Sequence, residues 1–126
     1  MTISPRAAIV TGASAGIGLA VTTELCALGF SVVMAARRQE RLEHAATTLR
    51  AAGHSVLPVV IDVAEPGAAE QLVDAATREI GTLDVVVANA ASGRPGTVAG
   101  TNQRDTERML AVNVAAPFAL AAAAIP

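Results

Sequence analysis

Three glycines and a pair of arginines carry the clearest chemistry in this sequence. The apolar run Ala7–Thr11 passes directly into Gly12-Ala-Ser-Ala-Gly16-Ile-Gly18, and a helical pattern follows at once. A helix N-terminus offers unpaired N–H groups and the positive end of its dipole, which suits a pyrophosphate. In such a turn Gly12 permits the tight bend, Gly16 lets the backbone approach the phosphates, and Gly18 lets the helix pack closely on the strand. Gly12, Ser14, Gly16, Ile17 and Gly18 are therefore the candidate dinucleotide contacts. The plain alternative is a glycine-rich turn that binds nothing, but the strand before and the helix after are the context the binding motif requires. A P-loop is disfavoured, because Leu19 follows Gly18 where a lysine would stand.

The arginines decide which dinucleotide. NAD sites usually carry an acidic residue about 20 positions past the glycines, bonded to the ribose hydroxyls. Here the second apolar run ends in Ala35-Ala36-Arg37-Arg38, with two guanidinium groups and no carboxylate. Arginine can pair with a 2′-phosphate through charge-assisted forked bonds. Such bonds are worth roughly 1.5–3 kcal/mol, a preference of about 10- to 150-fold for NADP over NAD. The competing reading is a solvated basic helix start, with Arg41 as one more surface charge. The same arginines argue against a methyltransferase, which normally wants a carboxylate for the ribose of its cofactor.

These residues need elements to hold them. Apolar runs at Ala7–Thr11, Ser31–Ala36, 55–61 and 83–88 are rich in Val and Ile, and three of them lack alternation. Near-continuous runs of that kind mark strands buried on both faces, as in parallel sheets. Between them, helical spacing is found over 17–28, 39–52 and 66–80. Each ends at a glycine, Gly29, Gly53 or Gly81, and Pro66 is placed for a helical first turn. A further helix begins near Thr101 or Asn102, either of which can cap it. The βαβαβαβα order predicts an α/β fold, a Rossmann-type doubly wound parallel sheet, over a single domain 1–126. Pro58 falls inside the third strand and predicts that this strand lies at a sheet edge.

Composition agrees with a packed domain and narrows the partners. Apolar residues make up 52% and charged residues 16%, far from a disordered chain. A net charge of −2 gives no electrostatic reason to expect nucleic acid or an anionic membrane. The uncharged stretch 7–21 holds Thr11, Ser14 and three glycines, unlike the aliphatic core of a signal peptide. No run approaches the ~20 apolar residues of a membrane span. The single cysteine, Cys26, lies beside Leu25 on a helix and reads as a buried structural thiol in a reducing compartment. The chain thus reads as soluble and cytoplasmic. No Cys/His/Asp cluster suggests a metal.

At this point the sequence resembles the classical short-chain dehydrogenase/reductase family. Thr11-Gly12-Ala-Ser-Ala-Gly16-Ile-Gly18 looks like the family's Thr-Gly-x-x-x-Gly-x-Gly loop. Asp62-Val63 looks like its adenine-contacting pair. Asn89-Ala90-Ala91 is similar to its Asn-Asn-Ala-Gly segment, with Ala88 in place of the first Asn and Ala91 in place of Gly. Val112-Asn113 looks like its helix asparagine. The resemblance implies Asp62 and Val63 at the adenine and Asn89 and Ala90 near the ribose. The missing Asn weakens a strand-stabilising role. Pro117, four residues past Asn113, has no N–H for the Asn113 carbonyl and predicts a kink there; in the resembling family this asparagine's main chain holds a water of the proton relay.

The resemblance further implies an NADP-dependent oxidoreductase exchanging hydride between nicotinamide and a carbonyl or alcohol substrate, with a homo-oligomer as the complete enzyme. The family's catalytic Ser and Tyr-x-x-x-Lys lie beyond its fourth helix. This sequence has no tyrosine and no lysine, so Asn113 is the only catalytic candidate and the chain reads as an N-terminal fragment. His44 and His54 lie far along the chain from the nicotinamide end, and Glu40, Glu43, Glu70, Asp74, Arg104 and Asp105 read as solvated. The alternative function is a non-catalytic nucleotide-binding or interaction module. In a sheet that stops at its fourth strand, Val85, Val86 and Val87 form an open edge, and each exposed Val forfeits roughly 1.5–3 kcal/mol. Low soluble yield is expected of the isolated chain; a sharp, reversible thermal transition of the monomer would contradict this.

Overall fold

In the computed structural model, which describes residues 4–126, the near-continuous apolar runs are central strands. β1 (Ala7–Thr11) is buried at every residue and β2 (Ser31–Ala36) at all but Ser31. β3 (Val56–Val60) and β4 (Val85–Val87) flank them, and the strands pair in the order β3-β2-β1-β4, all parallel. Pro58 pairs with Met34 from the edge strand β3, as its missing N–H requires. The chain runs from β1 outward to β3, then crosses to the other side of β1. The gap between β1 and β4 is thus the point where strand order reverses, where doubly wound folds bind ligands.

The helices cover both faces. α1 (Gly16–Ala27) and α2 (Gln39–Ala51) pack on the face formed by Ala8, Val10, Val32 and Met34, with Cys26, Leu42, Ala46 and Leu49 buried between them. α3 (Ala68–Glu79) and α5 (Ala116–Ala124) pack on the face formed by Ile9, Val33 and Ala35, through Leu72, Ala76 and Leu120. Burial raises the Cys26 thiol pKa, consistent with a structural thiol.

Three expectations need correction. Pro66 does not open the third helix. Asp62 Oδ1 accepts the Ala64 N–H at 3.0 Å and winds the chain into a turn. Gly67 then adopts φ 81°, and the helix starts only at Ala68. The fourth strand is shorter than 83–88, because Asp84 spends its side chain on the Ala7 N–H at 2.8 Å and the chain after Val87 turns toward Thr11. Finally, α4 (Gln103–Leu110), a π turn (Ala111–Ala115) and α5 form one continuous helix of 22 residues, Gln103–Ala124, which by length and composition alone could cross a membrane. Here it lies against the sheet and α3, with Val112 and Leu120 buried. Asn102 caps it, its side chain accepting the Asp105 N–H at 2.8 Å. The π turn falls where Pro117 removes a helical donor, so the predicted irregularity at Asn113 takes that form.

Gly18 sets how closely α1 meets β1. A Cβ at position 18 would lie 2.1 Å from the Gly12 carbonyl oxygen, a backbone atom that cannot move aside. Gly18→Ala is expected to destabilise the fold by about 3 kcal/mol or more. Gly93→Ala, with nothing near the added methyl, is the neutral control; urea denaturation followed by circular dichroism compares them.

Candidate functional site

The first βα turn is built so that its amides stay free. Gly12 and Gly16 take φ of 65° and 55°, in the left-handed region. An added Cβ at Gly16 meets nothing within 4 Å, so the space beside this backbone is open. Ala15, at the N-cap, supplies no side-chain acceptor, and the first turn holds no acidic residue. α4, by contrast, has its Asn102 cap. The first amides of α1 are therefore unclaimed by the protein's own side chains, and an anion would be stabilised there. Ile17 is exposed on the same turn and Gly18 is buried beneath it.

A buried hydroxyl ties this turn to β4. Thr11, only 3% exposed, accepts the N–H groups of Asn89 and Ala90 through Oγ1, each at 3.0 Å. Asn89 returns the contact, donating from Nδ2 to the carbonyls of Thr11 at 3.2 Å and Gly12 at 3.4 Å. The expectation that Ala88 weakens the junction is thus offset: Asn89 with Thr11 joins the two strand ends.

A cleft of about 290 Å³ opens beyond the carboxyl ends of these strands. It is bordered by Gly12, Ser14, Arg37, Arg38, Asp62, Val63 and Ala90, all singled out from sequence, together with Ala91 and Ser92. Gly16, Ile17, Gly18 and Asn89 do not border it; Gly16 borders instead the groove between α1 and α2. Arg37 and Arg38 are exposed and immediately precede α2, with Arg38 as its N-cap residue. Cations at that end of a helix oppose its dipole. Among the described residues Arg37, Arg38 and Arg41 have no carboxylate partner.

Asp62 is the one carboxylate on the cleft. Arg108 grips it with both guanidinium arms, Nη1 to Oδ2 at 2.8 Å and Nη2 to Oδ1 at 3.1 Å. That fork holds the Asp62 carboxyl pKa below its ordinary value, with lesser help from the Ala64 N–H and the field of Arg37, against an opposing contribution from burial. Sequence reasoning missed Arg108. Its one signal was position, a helical turn before Val112, which also borders the cleft.

Asn113 does not border the cleft. Its side chain clamps Ser92 instead, accepting the Ser92 N–H at 2.8 Å and donating to the Ser92 carbonyl at 2.7 Å. The clamp fixes the loop leaving β4 against the π turn. Asp105 is not simply solvated: it is partly buried, accepts from Asn102, and pairs with Arg94 at 2.9 Å. His44 and His54 border a separate groove between α1 and α2.

Known proteins share this fold. The family model for short chain dehydrogenase matches residues 6–126. An uncharacterized oxidoreductase of Mycobacterium tuberculosis is 33% identical over 98% of this chain and 47% of its own length. The human mitochondrial dehydrogenase/reductase SDR family member 2 is 33% identical over 98% of this chain and 45% of its own length. Among solved structures, L-sorbose reductase from Gluconobacter frateurii, complexed with NADPH and L-sorbose, superposes with TM-score 0.91 at 33% identity, covering 100% of this chain and 48% of that one. A metagenomic short-chain oxidoreductase in complex with NADP gives TM-score 0.88 at 33% identity, covering 96% and 55%. The chain spans about half the length of these relatives.

The Asp62–Arg108 fork has a pH signature. A carboxyl held below its ordinary pKa of 3.8 contributes stability that is full above that value and is lost as pH falls through the folded-state pKa. Asp62→Asn is expected to lower stability at neutral pH and to flatten the loss below pH 3.8; urea midpoints measured across the acid range check both.

Proposed function

The chain belongs to the short-chain dehydrogenase family, and we propose that residues 1–126 form the coenzyme-binding domain of an NADP-dependent oxidoreductase acting on a small carbonyl or alcohol. The observation that carries this reading is the cleft itself. It sets an uncapped helix N-terminus beside Arg37 and Arg38, neither of which has a carboxylate partner among the described residues.

The residues fit the coenzyme. The open space at Gly16 and the free amides of α1 suit a pyrophosphate, held by Gly12, Ser14, Gly16, Ile17 and Gly18. Arg37, with Arg38 beside it, meets a 2′-phosphate and relieves two cations placed at the wrong end of α2. Asp62 has about four lone-pair positions and uses three on Arg108 and Ala64, which leaves one on Oδ2 for a donor such as the adenine amine. Val63 is proposed to flank the base, and Asn89 and Ala90 to lie near the coenzyme ribose. When bound, the coenzyme supplies or accepts the hydride exchanged with substrate. The Asn113 main-chain carbonyl, in the π turn ahead of Pro117, is the group proposed to hold a relay water. L-sorbose reductase, complexed with NADPH and L-sorbose, is the kind of relative that supports a small polar substrate and a reduced phosphorylated coenzyme.

The chain has no Trp or Tyr, so the emission of NADPH and NADH reports binding without interference. NADPH is expected to bind about 10- to 150-fold more tightly than NADH. Arg37→Ala is expected to remove most of that preference and leave NADH affinity unchanged. Equal affinities in the wild-type chain refute the NADP assignment, and uptake of neither coenzyme refutes the reading as a whole.

A further inference from the structure

The cleft holds one carboxylate among four guanidinium groups, those of Arg37, Arg38, Arg41 and Arg108. Two of the four act on it, Arg108 by direct bonds and Arg37 by its charge. Arg108 takes both oxygens, and the Ala64 N–H adds a third bond at 3.0 Å. Arg37 reaches Asp62 through its field alone, without a bond. The paired side chains are also the sheltered ones, 33% exposed for Arg108 and 23% for Asp62, whereas Arg37 and Arg38 are exposed. The planar fork of an arginine can occupy two carboxylate oxygens at once, which a point charge cannot do.

We propose that Arg108 is a positioning residue for coenzyme selectivity: by forking both oxygens of Asp62 it compensates that carboxylate's charge and leaves no second fork for Arg37, and so keeps Arg37 available to a 2′-phosphate. The inference rests on the coenzyme reading above and deepens it. Without Arg108, two effects follow. The bare carboxylate draws the nearest free guanidinium into an ion pair, and its uncompensated charge repels a phosphate entering the same cleft. Both effects fall on the coenzyme that carries a 2′-phosphate and largely spare the one that does not. The adenine contact proposed for Asp62 is common to both coenzymes and cancels in their ratio.

The experiment is the ratio of NADH to NADPH dissociation constants, read from coenzyme emission for the wild-type chain, R108A, D62N and the double variant. Arg108→Ala is expected to lower the ratio about tenfold, through weaker NADPH binding. Adding Asp62→Asn is expected to restore it to within about threefold of wild type, because the competing carboxylate is gone. An equal loss of both coenzymes in R108A, an unchanged ratio, or no rescue by the second substitution overturns the proposal. If R108A does not fold, R108K decides: a point charge cannot hold both Asp62 oxygens, so the ratio is expected to fall, and an unchanged ratio overturns the proposal. A wild-type chain without NADPH preference sinks the coenzyme reading first, an outcome distinct from a wild-type preference that R108A leaves intact.

Discussion

The junction of Thr11 with Asn89 and Ala90 is the contact on which the rest of the site depends. A hydroxyl buried at the end of the central strand accepts two backbone amides from the far side of the topological crossing. Two consequences follow from it. The β4 exit is pinned against the glycine turn, so the cleft has a fixed floor. The turn itself keeps the curvature that aims the first amides of α1 outward, since Asn89 occupies the carbonyls of Thr11 and Gly12. Unsatisfied groups in so buried a place would be costly, and none of the described buried side-chain polar atoms lacks a partner.

Around that floor the charges are arranged asymmetrically. The cationic side, at Arg37 and Arg38, is exposed and has no carboxylate partner among the described residues. The anionic side is a single carboxylate, sheltered and already engaged by Arg108. The helix dipoles act in the same direction, because the N-termini of α1 and α2 both approach the cleft. The site is thus preorganised for an anion before any ligand arrives, by elements whose positions are set by sheet packing.

Much of this was legible in the sequence, for identifiable reasons. β1 and β2 are buried on both faces, so an uninterrupted apolar run was an adequate signal. Pro58 announced an edge because a proline leaves no donor for a second neighbour. Arg37 and Arg38 could be placed because they directly follow a strand, and strand ends in this topology have fixed locations. What escaped notice depends on long-range geometry. Arg108 and Asp62 lie 46 positions apart, and their pairing is decided by where α4 meets the loop that follows β3. Pro66 stands ahead of the helix because the side chain of Asp62 and the φ of Gly67 redirect the chain before the helix begins. The apolar stretch after Arg108 did not reach membrane length until the structure joined it to the capped, charged turns of α4.

The Thr11–Asn89 bond also bears on the order in which the molecule is made. Its partners are separated by 78 positions. At roughly 5–20 residues per second, a ribosome needs about 4–16 s to deliver the second after the first. During that interval the β1–α1–β2 unit has emerged with one flank of its innermost strand unclaimed. Ala7–Thr11 must stay out of wrong pairings in the meantime, so the residues that will later complete the site are also those that a nascent-chain chaperone would have most reason to shield.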